Sequence, residues 1–314
     1  MKAVLFERYG PPTVLSLHEV ARPSCRAGEL LVRIRAAGVN PKDCLVRKGK
    51  FRWFTGRRFP QGLGHDFAGT LEQVGRGVDG FQVGDAVFGM TSGWKGRTYA
   101  GFATVSPSET ALKPVELTFE EAAAVPLAAQ TALQALRDLG RLSPGRRVVI
   151  NGASGGVGTF AVQIARILGA KVTAVCSGRN ADLVRRLGAE RVVDYQREAL
   201  RDSPEAVDLF FDVFGNRRFP DIRPLLTSRG HFISTVPGLP ILKWGLMSRL
   251  GSGPRARLVV VKSRATDLQT LAGWIAARCL VPVVDRTFPL EDVRQAHAYI
   301  ETKRARGKVV LKAT

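Results

Sequence analysis

The sequence predicts an α/β protein in which a doubly wound parallel sheet is joined to a second, β-rich domain. Three observations carry that expectation: one βαβ unit lies between Arg147 and Tyr195, the first third of the chain is strand-like with glycine-rich turns, and the chain from 281 onward returns to strand, helix and strand after the sheet is complete.

The βαβ unit reads RVVINGASGGVGTFAVQIARILGAKVTAVC. Val148 to Ile150 form an apolar strand, and Phe160, Ile164 and Leu168 recur at helical spacing, so the helix after the turn has one face for packing on a sheet. Between them the glycines allow a backbone to approach a pyrophosphate, and the orphan amides of the helix N-terminus favour the anion. The pattern follows a strand and opens a helix, as a dinucleotide-binding fingerprint requires. Ala153, Ser154, Gly155, Gly156, Val157 and Gly158 are therefore candidate cofactor contacts. The second strand ends in Ser177-Gly178-Arg179-Asn180, where an NAD-binding chain would place an Asp or Glu on the ribose. A hydroxyl and an arginine suit a 2′-phosphate, so Ser177 and Arg179 point to NADPH.

Taken in order, Lys2 to Val20 reads as strand, turn at Gly10-Pro11-Pro12, and strand; Glu29 to Asn40, Gly64 to Val74 and Phe81 to Phe88 add half-buried strands. Thr118 is an N-cap with Glu120 and Glu121 in the first turn of a helix that reaches Gly140 and is broken by Pro126. After the βαβ unit come a strand at Val207 to Val213, a helix at Phe219 to Leu226, strands at His231 to Val236 and Arg257 to Lys262, and a helix from Asp267 to Arg278. Segment 239–257 breaks the alternation, being apolar and basic at once; a lid, a dimer contact and a membrane-facing helix are all open to it. The tail forms a strand, a helix from about Glu291, and a strand at Val309 to Leu311, which fit the first domain better than the parallel sheet. The expected domains are 1–124 with 281–314, and 125–280.

At 314 residues and 45% hydrophobic, the chain is long and apolar enough to bury a sizeable core. Its net charge of +20 raises the local concentration of anions, but the basic residues are scattered and no recognition helix or zinc finger accompanies them. Specific nucleic-acid binding is not expected; solvated surface charge is the plainer reading, and peripheral contact with an anionic membrane stays open beside it. The four cysteines form no C-x-x-C pair, which removes a structural zinc lobe and a disulfide framework. A Glu-Arg pair interrupts the N-terminal apolar stretch, so the chain reads as cytoplasmic.

The glycine turn fits two patterns. Gly152, Gly156 and Gly158 match that of short-chain reductases, and Tyr299 and Lys303 form a Y-x-x-x-K pair downstream, but only 11 residues follow Lys303, too few to finish that fold. Ala153, Gly155 and Gly158 match A-x-G-x-x-G. With NPKDC, FPQGLGHDFAG, GDAVFG, AAAVPLAAQTALQAL, LVRRLGAERVVDY and a closing GKVVL, the chain resembles, end to end, the medium-chain dehydrogenase/reductase superfamily. Its zinc-independent quinone oxidoreductase branch, with the reticulon-interacting and chloroplast-envelope relatives, is the nearest in pattern. The resemblance implies a Rossmann domain with a GroES-like N-terminal domain, a homodimer, and NADPH-dependent hydride transfer to a quinone or an α,β-unsaturated carbonyl. It implies no metal: the zinc enzymes carry cysteines where this chain has Asn40 and Ala128 or Ala129, and only His65 matches a ligand. It further places Asn40 near the nicotinamide as an oxyanion donor, Thr131 against that ring, Tyr195 on the 2′-phosphate, and Lys308 on the pyrophosphate. Phe214, Gly215, Thr235 and Val236, past the ends of the next two strands, complete the expected cofactor contacts. Phe51, Trp53 and Phe54, with His65, Phe88 and Trp94, are the candidate substrate contacts, a planar apolar acceptor being what an aromatic loop would cover.

Overall fold

The computed structural model describes residues 1–94, 96–198 and 205–313. They form two compact units, Met1–Leu127 with Lys262–Thr314, and Ala128–Val261.

In the first unit, β1 (Lys2–Phe6) pairs with β2 (Leu15–Glu19) across the turn that Pro11 and Pro12 begin. β3 (Leu30–Val39) leads into α1 (Pro41–Arg47) and α2 (Arg52–Thr55), and β4 (Gln61–Gly62) adds a third strand beside β1. β5 (Asp66–Val74), β6 (Ala86–Met90), β7 (Phe102–Val105) and β8 (Thr110–Leu112) build an antiparallel sheet on β3. α3 (Phe119–Ala123) follows, with Thr118 Oγ1 accepting from Glu121 N–H at 3.2 Å and Glu121 accepting from Thr118 N–H at 2.8 Å, a reciprocal cap. α4 (Pro126–Leu133) starts at the expected proline break and runs into a π-helical stretch over Gln134–Leu139.

In the second unit the βαβ element is β9 (Arg147–Asn151), α5 (Gly156–Ile167) and β10 (Lys171–Cys176). α6 (Ala181–Arg186), β11 (Arg191–Asp194), β12 (Val207–Asp212), α7 (Phe219–Ile222), β13 (Leu226–Ser234), α8 (Leu239–Leu250) and β14 (Arg255–Leu258) follow. Among the described residues the sheet has six strands, all parallel, in the order β11-β10-β9-β12-β13-β14. Strand order therefore reverses between β9 and β12, the switch point at which open α/β sheets hold ligands. Phe210, Phe219, Phe232 and Ile241 sit in one apolar cluster on this sheet. The chain then returns to the first unit through α9 (Ala265–Ala276), β15 (Val284–Pro289), α10 (Val293–Glu301) and β16 (Lys308–Lys312). β16 pairs antiparallel with β3, and Val309 and Leu311 share a core with Val4, Phe6 and Leu15 from the other end of the sequence.

The parallel sheet and the β-rich unit agree with the expected fold; several boundaries move. β5 starts at Asp66 because Gly64 is left-handed, and β6 starts at Ala86 because Gly84 is too. Within segment 239–257, Leu239–Leu250 is helix α8, and the next strand opens at Arg255, ahead of the expected Arg257. α9, expected with the parallel sheet, is grouped with the first unit. Among the described residues no helix is long and apolar enough to cross a membrane.

Gly158 has no room for a side chain: a Cβ there would stand 2.1 Å from Gly152 O and 2.7 Å from the Ala153 backbone. Gly158→Ala is therefore expected to push α5 off the turn and to cost about 1–3 kcal/mol, read as a lower denaturant midpoint with an unchanged slope. An unchanged midpoint would show that the contact between helix and turn is looser than drawn.

Candidate functional site

The turn between β9 and α5 is shaped by its backbone. Gly152 is left-handed, Gly158 seats the helix against Gly152 O, and a Cβ on Gly155 would meet nothing nearer than Gly152 O at 3.5 Å, so the helix entry is open above it. Gly155 is the N-cap and has no side chain to occupy the amides; the first turn carries no acidic residue. An anion can therefore take the orphan N–H groups of a twelve-residue helix. Ser154 Oγ accepts from Asn180 Nδ2 at 2.9 Å, which ties the turn to the end of β10.

The other expected cofactor residues gather at the same ends of the strands. Ser177 follows β10 and is buried, Arg179 beside it is exposed, and Tyr195 follows β11, whose Asp194 pairs with Cys176 of β10. Asp194 faces Gly178 and accepts from Gln196 N–H at 3.1 Å. Phe214 lies against Gly152, while Gly215 is left-handed and closes on Val236. Thr235 Oγ1 donates to Val213 O at 2.9 Å. Below them, Asn151 Nδ2 donates to Asp212 at 2.7 Å, and Asp212 also accepts the N–H groups of Gly215 and Arg217. Thr131 is buried on α4.

The first unit holds a buried polar cluster. Asp43 accepts from Asn40 N–H at 2.9 Å, from Tyr99 OH at 3.0 Å, and from His65 Nδ1 at 2.7 Å. Burial alone would raise the Asp43 carboxyl, but the hydrogen bond and charge of His65, then His297 and Asn40 N–H, outweigh it and hold the group below the usual carboxylate range. Asp66 behaves oppositely: burial pushes it up, against the attraction of Lys308, the Asn40 amide and Leu127 N–H. Asn40 Nδ2 donates to Asp66 at 2.9 Å, Lys308 Nζ donates to Asn40 Oδ1, and Lys308 Nζ stands 3.3 Å from Asp66. Cys44 Sγ lies 3.4 Å from His297 Nδ1, and burial drives its thiol far up. His65 Nε2 and His297 Nε2 have no hydrogen-bond partner among the described residues.

Four expected roles change on this evidence. Asn40 is 2% exposed and its amide is turned to Asp66, so it is no free oxyanion donor. Lys308, 3% exposed, answers Asp66 within the first unit and is not a surface cation for a pyrophosphate. His65 is fully buried on Asp43, and Phe88 is fully buried in β6, so neither lines an open cleft. The aromatic loop does assemble. The Phe51 and Phe54 rings lie 4.1 and 5.2 Å from Trp94, Lys42 Nζ sits 5.4 Å from the Trp94 ring, and Trp53 is 84% exposed.

Comparison with known proteins places this arrangement. Residues 26–115 match the alcohol dehydrogenase GroES-like domain, and residues 187–311 match the zinc-binding dehydrogenase family. The mitochondrial NAD(P)H oxidoreductase RTN4IP1 of Mus musculus is 31% identical over 99% of this chain and 89% of its own length. The chloroplastic NADPH-dependent alkenal/one oxidoreductase of Arabidopsis thaliana is 32% identical over 99% of this chain and 79% of its own. The quinone oxidoreductase structure from Coxiella burnetii superposes with a TM-score of 0.92 at 31% identity, covering 100% of this chain and 99% of that one. The chain belongs to the quinone oxidoreductase-like group of the medium-chain dehydrogenase/reductase superfamily.

This oxidoreductase lacks the donors that a zinc site of its superfamily needs. Asn40, Ala128 and Ala129 supply no thiolate, Cys44 is turned to His297, and among the described residues no group of three His, Cys, Asp or Glu is placed to hold a metal. The Y-x-x-x-K pair is also dismantled: Tyr299 OH donates to Asp285 at 2.6 Å, and Lys303 lies past the end of α10 in a left-handed turn. Sequence reasoning missed Asp43, Asp66, Asn151, Asp212 and Asn180. Asp43 alone left a local trace, three residues after the N-cap Asn40, where a capping carboxylate belongs.

Burial lowers the His297 imidazole from 6.5 to about 4, with Arg47 adding to burial and Asp43 and Glu301 opposing. Between those values the unfolded chain takes a proton that the folded one refuses. The His297 contribution is thus complete above pH 6.5, shrinks by about 1.4 kcal/mol per unit as pH falls, and levels off below about 4. His297→Gln should remove that slope, measured by urea unfolding at stepwise lower pH; equal slopes in both proteins would refute the assignment.

Proposed function

We propose that this oxidoreductase catalyses metal-free hydride transfer from NADPH to a quinone or an α,β-unsaturated carbonyl. The observation that carries the reading is the open N-terminus of α5 with Ser177 and Arg179 at the adjoining end of β10, where orphan amides meet a hydroxyl and a guanidinium. A dinucleotide with a 2′-phosphate satisfies both. In this reading Ala128–Val261 holds the cofactor, and the unit of Met1–Leu127 with Lys262–Thr314 takes the acceptor under Phe51, Trp53, Phe54 and Trp94.

When bound, NADPH supplies the hydride. The chain's part is to hold the pyrophosphate on the α5 amides, the 2′-phosphate on Arg179 and Ser177, and to let Phe214, Thr235 and Val236 flank the dinucleotide at the switch point. With no residue set for a Lewis-acid metal, the acceptor must bring its own electron sink, which a conjugated quinone or enone does and an isolated ketone does not. Asn40 serves by position: Asp66 and Lys308 fix its amide, and with it the start of α1. The names of the Coxiella and Arabidopsis relatives support both acceptor classes.

Arg179→Asp should raise KM for NADPH by at least about tenfold while leaving KM for NADH within about twofold, since one charge-assisted pair is replaced by a repulsion. Equal changes for both cofactors would refute the 2′-phosphate assignment. Elemental analysis of the purified protein should find zinc far below one atom per chain; stoichiometric zinc would overturn the metal-free reading.

A further inference from the structure

Hydride addition to a conjugated carbonyl leaves negative charge on its oxygen, and a fixed donor at that oxygen lowers the barrier. In the first unit the buried polar groups are committed elsewhere. Asn40 Nδ2 donates to Asp66 at 2.9 Å and Asn40 Oδ1 accepts from Lys308, while Tyr99 OH and His65 Nδ1 both serve Asp43. Lys42 is placed differently. It stands two residues past Asn40 in the first turn of α1 and is half-buried. Its Nζ donates to Gly93 O at 2.7 Å and sits 5.4 Å from the Trp94 ring, against which Phe51 and Phe54 also lie. An ammonium carries three N–H donors, so Gly93 O leaves two unused. Among the described residues Lys42 has no ion-pair partner. Burial pulls it below its ordinary value, against the weaker attraction of Asp43, Asp66 and Glu109. A plain surface lysine would carry its head out into water, whereas this one is held on the aromatic loop by a carbonyl and a ring. Arg52, the other cation on a ring of this loop, lies 5.8 Å from Trp53, which is 84% exposed, and so offers its charge in open solvent.

We propose that Lys42 is a catalytic residue whose ammonium donates to the reacting oxygen of the acceptor. The inference rests on the reading of the aromatic loop as the acceptor's cover. An enone takes hydride from NADPH at its β-carbon, a C–H bond forms, NADP+ is left, and the C=C electron pair shifts to give an enolate oxygen. A quinone takes the hydride on one oxygen and carries the charge on the other, as a quinol anion. In both cases Lys42 meets the anionic oxygen with a charge-assisted hydrogen bond and keeps its own proton. Water then protonates the α-carbon of the enolate or the quinol oxygen, and the hydroxide formed passes to the buffer.

Lys42→Met should lower kcat for quinones and enones about 10²-fold to 10³-fold, with KM for NADPH changed by less than about twofold. Lys42→Arg, which keeps a cation, should return to within about tenfold of the wild type. Wild-type kcat should fall as pH rises through the lowered Lys42 value, and that fall should vanish in Lys42→Arg, whose guanidinium stays protonated. Both variants should unfold at the wild-type urea midpoint. A second arm reads no turnover: para-nitrophenol, an oxyanion mimic whose absorbance reports its ionisation, is bound to the NADP+ complex. In the wild type and in Lys42→Arg the bound probe should ionise at least about one pH unit lower than in Lys42→Met. The proposal is overturned if the probe ionises at one pH in wild type and Lys42→Met, or does not bind the wild type. It is also overturned if both variants are equally impaired, or if the loss in Lys42→Met comes with a lowered urea midpoint, the mark of a brace between α1 and Gly93. A wild type that reduces no quinone or enone would sink the proposed reaction, whereas the probe would still decide whether Lys42 faces an anionic oxygen.

Discussion

A buried ion pair ties the last strand of the first unit to its antiparallel sheet. Lys308 opens the last strand, Asp66 opens β5, and they meet 3.3 Å apart with almost no solvent access, across 242 residues of sequence. Desolvating two charges costs several kcal/mol each, so the pair holds only because other groups satisfy what it leaves over: Asn40 bridges both partners, and Leu127 N–H takes the second Asp66 oxygen. What such a pair supplies is selectivity. An apolar strand in place of β16 could slide along β3, whereas a lysine at its first position has one carboxylate to meet, and that fixes the register Val309 on Val39.

From that closure the rest of the cluster follows. Asn40, held by its side chain, ends β3 and begins α1, which carries Asp43 inward on the first turn. Asp43 then collects three donors, and His65, the neighbour of Asp66, is one of them. The two adjacent carboxylates differ because their partners differ. Asp43 is surrounded by donors and sits low; Asp66 has one cation against full burial and the charge of Asp43, and sits high. A site that resembles a zinc site in its histidine has become a self-contained hydrogen-bonded hub.

The second unit was largely legible before the structure because its signals are local. Glycines that must lack a Cβ, strands of β-branched residues and a helix with one apolar face all lie within thirty residues of Arg147, so the parallel sheet and the phosphate turn could be read off. The cluster in the first unit was not legible, since its members come from 40, 43, 65, 66, 99, 297 and 308 and, apart from the capping spacing of Asn40 and Asp43, nothing near any of them names the others. Lys308 shows the failure plainly. A lysine beside a glycine near a chain end reads as a surface cation, and only burial on Asp66 says otherwise. Phe88 fails similarly, because an aromatic residue between glycines looks the same in a lid and in a core strand.

Net charge needed the structure most, because +20 describes the chain and says nothing of where neutralisation occurs. In the first unit some exposed cations are answered: Arg22 and Arg33 both reach Glu72, and Lys2 reaches Glu291. Pairs of that kind contribute little stability but leave no field behind. Around α8, among the described residues, Arg249, Arg255 and Arg257 have no carboxylate partner, and Leu239, Leu242 and Leu246 are exposed. A surface carrying both faults together is costly in water unless something removes both at once.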